Sequence, residues 1–284
     1  MRDRIDPLIL ERARWLGRRD PFSRAARAAL DAILGYERTV ALGEEMQDWP
    51  ARRIMARMGE MVARRVSVRG LGHVPRHGPL LFVSNHPTGI ADGIVLHAIL
   101  SRVRPDLYVL ANADILRVMP QLSEVVLPVE WRLDKRTRAK TRETMDCMRA
   151  AVAAGRAGLI FPSGRLAKRR GLRLHERPWM PSAASLARKF ELPVIPVHML
   201  ARNSALFYAF DAIHPSLRDI TLFHETLNKG RQPYRIRVGE PISPAALPAK
   251  AEEGIALLRE ATLGLGGEDE PSLSILRAAR SLGY

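Results

Sequence analysis

Residues 79–93 read Pro79-Leu80-Leu81-Phe82-Val83-Ser84-Asn85-His86-Pro87-Thr88-Gly89-Ile90-Ala91-Asp92-Gly93. An apolar run of strand length ends in a polar loop, and a second apolar stretch through Leu100 follows with helical length. A continuous apolar strand is buried on both faces, so helices must cover both sides of its sheet. In such sheets the strand ends face the crevice where ligands bind. Here that end carries a histidine, and the helix after it opens on an aspartate.

The same texture recurs downstream. Short apolar runs at Leu107–Leu110, Val125–Val129, Gly158–Pro162 and Pro193–Val197 alternate with helical stretches such as Thr137–Ala154 and Pro181–Phe190. The pattern predicts an α/β fold, with a central mostly parallel or mixed sheet flanked by helices. Tyr234–Val238 alternates apolar and basic residues, as an edge strand does. A helix from about Pro244 to Leu263, a flexible joint over Gly264–Pro271 and a final helix close the chain. Residues 1–65 hold little strand signal and read as an N-terminal amphipathic helical region. Within it Ile54, Met55, Met58, Met61 and Val62 repeat at helical spacing among arginines. That stripe suits a core face, with an interfacial helix as the competing reading. Three segments result: 1–65, 66–243 and 244–284.

The chain has 284 residues, of which 46% are hydrophobic and 26% charged, the balance of a globular chain rather than a disordered one. The single cysteine, Cys147, excludes an internal disulfide and favours a reducing compartment. No apolar run approaches 18 residues, and the start Met1-Arg2-Asp3-Arg4 lacks the apolar stretch of a secretory signal. A cytoplasmic protein is the expectation.

The net charge of +15 implies an anionic partner. Fourteen basic residues face four acidic ones between Trp131 and Arg177, while the tail from Gly239 has four basic and seven acidic. The positive charge therefore gathers in the middle of the chain. Many of its arginines need be no more than a solvated surface.

His86 at a strand end, with Asp92 shortly after, has the makings of a general base held by a carboxylate. A neutral imidazole takes a proton from a hydroxyl, and a carboxylate on its other nitrogen fixes the tautomer. The plainer alternative is that His86 bonds its own loop and Asp92 caps the following helix. A second strand-end loop, Phe161-Pro162-Ser163-Gly164-Arg165, runs into Lys168, Arg169, Arg170 and Arg173. Ser163, Gly164, Arg165 and Lys168 form a candidate anion-binding set, through turn N–H groups and basic side chains. The alternative there is a tight turn with solvated bases.

Three blocks, Asn85-His86 with Asp92, Phe161-Pro162-x-Gly164, and Val194-Ile195-Pro196-Val197, occur in the order and approximate spacing of the glycerolipid acyltransferase family. That family includes lysophosphatidate acyltransferase. The resemblance spans about residues 66–243. Ala201-Arg202-Asn203-Ser204, Leu222-Phe223-His224-Glu225 and Leu227-Asn228-Lys229 are similar to its bacterial hemolysin-like and aminolipid-related branch. The resemblance implies that His86 deprotonates the acceptor hydroxyl and Asp92 orients it. It implies an acyl-carrier-protein or coenzyme A thioester as co-substrate, a lysolipid as acceptor, and no metal or organic cofactor. It also implies a peripheral enzyme on an anionic membrane surface, the cytoplasmic face of the inner membrane.

Two departures qualify the match. Five residues separate His86 from Asp92 where the family has four, and Gly89 offers a turn to absorb the extra one. The usual Phe-Pro-Glu-Gly-Thr-Arg block reads Phe161-Pro162-Ser163-Gly164-Arg165-Leu166, with its glutamate lost and its arginine one place early. In the family that block handles the acceptor headgroup, which points to an acceptor other than lysophosphatidate, such as a lyso-ornithine-type aminolipid. The alternative class is a basic nucleic-acid-binding protein without catalysis. The charge fits it, but zinc-ligand spacing and RNA-binding motifs are missing and only 6% of residues are aromatic. A serine hydrolase would need a Gly-x-Ser-x-Gly elbow, and a metal site more than the scattered His73, His97, His198 and His224.

Overall fold

The computed structural model describes residues 1–130, 137–267 and 272–280. Four helices come first: α1 (Arg2–Arg12), α2 (Pro21–Leu34), α3 (Tyr36–Met46) and α4 (Ala51–Val62). The chain then alternates: β1 (Val66–Arg69), β2 (Leu80–Ser84), α5 (Ile90–Leu100), β3 (Tyr108–Asn112), α6 (Asp114–Val118), β4 (Val126–Val129), α7 (Arg138–Ala153) and β5 (Ala157–Ile160). After β6 (Lys168–Arg170) and β7 (Arg173–His175) come α8 (Ser182–Lys189), β8 (Val194–Leu200), α9 (Ala205–Ile213) and α10 (Pro215–Asn228). The last elements are β9 (Tyr234–Val238), α11 (Ala251–Gly264), β10 (Ser272–Ser274) and α12 (Ile275–Ala279).

Seven strands form one sheet in the order β1-β9-β8-β2-β5-β3-β4, parallel at every pairing except β8 with β9. Every residue of β2, β5 and β8 is buried, as their unbroken apolar runs predict. Those three strands are neighbours at the centre. Their carboxyl ends therefore bring together loops that lie about 75 and 115 residues apart in the chain.

Tyr234–Val238 is not an edge strand. β1 pairs with it in parallel from Val66↔Tyr234 to Arg69↔Arg237, and β1 holds the edge instead. The alternation has a different origin. Tyr234, Ile236 and Val238 enter the core, while Arg235 and Arg237 on the other face donate to the carbonyls of Arg277 and Leu265. The C-terminal segment partly covers this polar side, leaving Arg237 exposed. The joint read at Gly264–Pro271 lies partly outside the described residues.

The basic run after β5 folds back at Gly171 (φ 57°) into an antiparallel β6–β7 ribbon, to which β10 adds a third strand. Neither ribbon strand was legible, because Lys168–His175 carries a single apolar pair of residues, Leu172 and Leu174.

The N-terminal helices own a core. Ile5, Leu8, Val40 and Ile54 cluster with Val118, Leu122 and Ile220. Ile54, Met55 and Val62 of the methionine stripe are buried, and Met58 and Met61 pack beside them. The core reading of α4 holds, and its apolar face is not free for a membrane. No helix among the described residues is long and apolar enough to cross one.

Candidate active site

Gly89 takes φ 97° and ψ −137°, a conformation closed to L side chains, and turns the chain from β2 into α5. This turn absorbs the fifth intervening residue. His86 Nδ1 and Asp92 Oδ2 stand 2.9 Å apart, with the two side chains 17% and 0% exposed. Asp92 Oδ2 also accepts from the N–H groups of Thr88 (2.8 Å) and Gly89 (3.0 Å), and Thr88 Oγ1 donates to Oδ1. Asp92 thus caps α5 and holds His86 with one carboxylate, so the two readings of this aspartate are both realised. Four donors at the start of a helix fix the position of this carboxylate.

Asp92 Oδ2 already accepts two backbone N–H groups, so Nδ1 is the nitrogen through which His86 donates in this contact. Phe161 stacks on the imidazole with ring centroids 4.2 Å apart. The histidine main chain is fixed from both sides: its N–H donates to Glu176 Oε2 (3.1 Å) and its carbonyl accepts from Ala167 N–H (2.8 Å). Glu176 Oε1 accepts from Trp179 Nε1 at 3.0 Å. Desolvation raises the Glu176 carboxyl above its ordinary value against the pull of these donors.

The second loop does reach the dyad, but not all of the expected set points outward. Ser163 is buried and its Oγ donates to the Arg165 carbonyl (2.8 Å), while Gly164 N–H donates to Phe161 O (2.9 Å). Their polar groups are used within the turn, because Gly164 at φ 59° closes it. Arg165 and Lys168 are exposed. Desolvation lowers the Arg177 guanidinium, and the charges of Arg165, Arg218 and Arg170 lower it further while Asp211 opposes them.

Several residues here escaped the sequence. Thr88, Glu176, Asn203 and Lys229 sit in the site's hydrogen-bond network. Glu176 had a signal, as the single acidic residue between Arg149 and Lys189. Asn85 is buried too, exchanging two hydrogen bonds with Met199 of β8 and tying the β2 loop to its neighbour. Among the described residues no three His, Cys, Asp or Glu side chains gather as a metal would need.

The open α/β sheet thus carries a His–Asp pair at the end of a central strand, with the second strand-end loop bonded to it. Residues 65–200, just under half of the chain, match the family model described as Acyltransferase.

A lyso-glycine lipid O-acyltransferase of Phocaeicola vulgatus is 26% identical over 190 residues, 64% of this chain and 66% of that one. Its counterpart in Bacteroides thetaiotaomicron is 26% identical over 149 residues, 52% and 53% of the two chains. The chain thus spans just under two thirds, and about half, of these relatives. The crystal structure of the 1-acyl-sn-glycerophosphate (LPA) acyltransferase PlsC from Thermotoga maritima shares the fold, with a TM-score of 0.52 and 13% identity over 99% of this chain and 100% of that one.

Proposed function

We propose that this protein moves a fatty acyl group from an acyl-carrier-protein or coenzyme A thioester to the hydroxyl of a lysolipid. His86 is the general base and Asp92 orients it. The observation that carries the reading is the 2.9 Å His86–Asp92 contact, which occupies Nδ1 and leaves Nε2 for the acceptor hydroxyl. Nε2 takes the proton of the acceptor hydroxyl as its oxygen attacks the thioester carbon. The C–O bond forms, the C–S bond breaks, and the proton passes on to the leaving thiolate. Asp92 stabilises the imidazolium between these steps.

The acceptor is a lysolipid with an amino-acid-derived headgroup rather than lysophosphatidate. The activity by which the two relatives are named, lyso-glycine lipid O-acylation, supports this, as does Ser163 in place of the block's usual glutamate. Arg165, exposed beside His86, suits an anionic headgroup, since a guanidinium fork grips a carboxylate bidentately.

The enzyme works as a peripheral protein on the cytoplasmic face of the inner membrane. α2 offers a face for this: Phe22 and Ile33 are 75% and 53% exposed, in line with Ala25 and Ala29, and Arg18, Arg19 and Arg24 lie alongside.

The test is turnover of acyl-carrier-protein and coenzyme A thioesters on a lyso-glycine or lyso-ornithine lipid and on lysophosphatidate. His86→Ala should lower kcat by about 10²–10⁴-fold and Asp92→Asn should be comparably severe. Near wild-type turnover in folded His86→Ala protein overturns the mechanism, and a clear preference for lysophosphatidate overturns the acceptor. Oligonucleotide binding with no acyl transfer would favour the nucleic-acid alternative.

A further inference from the structure

Behind the dyad lies a buried ion pair that the transfer step does not use. Glu225 is on the last turn of α10, and Lys229 follows that helix directly. Nζ and Oε2 are 2.9 Å apart, with the side chains 1% and 0% exposed. Taking two such charges out of water costs several kcal/mol per ion, and apolar residues of equal volume usually serve stability as well or better. Packing alone gives no reason for a lysine here.

Its contacts do. Lys229 Nζ also donates to the Arg202 carbonyl (2.7 Å) and to Asn203 Oδ1. Asn203 is fully buried, and its Nδ2 donates to the Thr88 carbonyl at 3.2 Å. Thr88 in turn gives both its N–H and its hydroxyl to Asp92. An ammonium only donates and a peptide carbonyl only accepts, so the Asn203 amide has one orientation that satisfies both. Lys229 sets it. A continuous chain of hydrogen bonds therefore runs from Lys229 through Asn203 and Thr88 to the carboxylate that holds His86.

We propose that Lys229 is a positioning residue of the acyl transfer, fixing through Asn203 the Thr88 loop on which the Asp92 carboxylate rests. This builds on the reading of His86 as the base. Asp92 is among the charges that act on Lys229, and that attraction is mutual. Burial lowers the Lys229 ammonium and raises the Glu225 carboxyl, but the Lys229 charge and the Ser204 donors outweigh burial and leave Glu225 below its usual range.

The test is a double-mutant cycle on the full chain, under single-turnover conditions with lyso-glycine lipid as acceptor. Lys229→Met should lower the rate by about 10–100-fold, the size expected for a small misplacement of reacting groups. Both KM values should stay within about twofold. In an Asp92→Asn background the same substitution should cost less than about threefold more, since the link would have nothing left to hold. Asn203→Ala cuts the link while keeping the ion pair, and should behave alike.

If Lys229→Met does not fold, the Asn203→Ala and Asp92→Asn cycle decides alone. Effects that multiply in full, that fall on KM, or that vanish in folded single variants overturn the proposal. Active His86→Ala protein would instead overturn the mechanism beneath it, while inactive His86→Ala with fully multiplying effects removes this inference only.

Discussion

Glu176 accepts the backbone N–H of His86 at 3.1 Å from 90 residues further along the chain, and its other oxygen accepts from Trp179. The base we propose is therefore held at its main chain as well as at its ring. Glu176→Ala leaves two donors unpaired, each costing about 1–3 kcal/mol. The melting temperature should fall and kcat should drop about tenfold, in line with a shifted near-attack geometry. Glu176→Gln keeps the shape and one carbonyl acceptor and should lie between. Unchanged kcat and melting temperature in Glu176→Ala would remove the role.

Arg165 stands exposed where the strand-end loop passes His86, and it should act on the acceptor. Arg165→Ala should raise the acceptor KM by about tenfold, equivalent to 1.4 kcal/mol, with donor KM and kcat little changed. Arg165→Lys should recover part of the loss, since lysine supplies charge without the fork. Steady-state kinetics with each substrate varied decides this. An effect confined to donor KM would assign the loop to the thioester.

The α2 face should bind anionic vesicles in a salt-sensitive way. Substituting Phe22→Ser and Ile33→Ser together removes two side chains, each worth about 1.5–3 kcal/mol when fully buried, and should release the protein in flotation assays. Deleting residues 1–50 would be a poor substitute, since it strips Ile5, Leu8 and Val40 from a core shared with Leu122 and Ile220. Vesicle binding that ignores both salt and the double substitution would rule this face out.

Burial lowers the His198 imidazole to about 4, with Arg237 and Arg277 adding to the effect. In the unfolded chain the same ring titrates near 6.5. Between these values the unfolded state holds the extra proton, so stability is present above about pH 6.5 and is lost as pH falls toward 4. The loss is about 3 kcal/mol at most. His97, also lowered to about 4 by desolvation, adds in the same direction. Urea midpoints at pH 7 and 4.5 should show the drop, and His198→Leu should flatten it. An unchanged slope in that variant would assign the acid sensitivity elsewhere.

The five strands read from sequence, at 79–84, 107–110, 125–129, 158–162 and 193–197, all exist, because a strand buried on both faces must be apolar throughout. His86 and Asp92 were legible for a local reason: six residues and one glycine bring them together, whatever the rest of the chain does.

Other features had no local signal. β1 and the β6–β7 ribbon are short, charged and half-exposed, so hydrophobic patterning says nothing of them. The place of β9 inside the sheet depended on β1, and the alternation of β9 looked like an edge because its arginines lie on a half-exposed face, where they donate to carbonyls of the C-terminal segment. Glu176, Asn203 and Lys229 reach the dyad from 90, 115 and 141 residues away in contour along the chain from His86 or Thr88. Only the order β8-β2-β5 and the docking of α10 set them there. The sequence alone determined which short-range groups meet at the strand end, since local turns and periodicity are written in neighbouring residues. Tertiary packing decided what holds those groups still, since hydrogen bonds between distant loops form only once the sheet has brought its strand ends side by side.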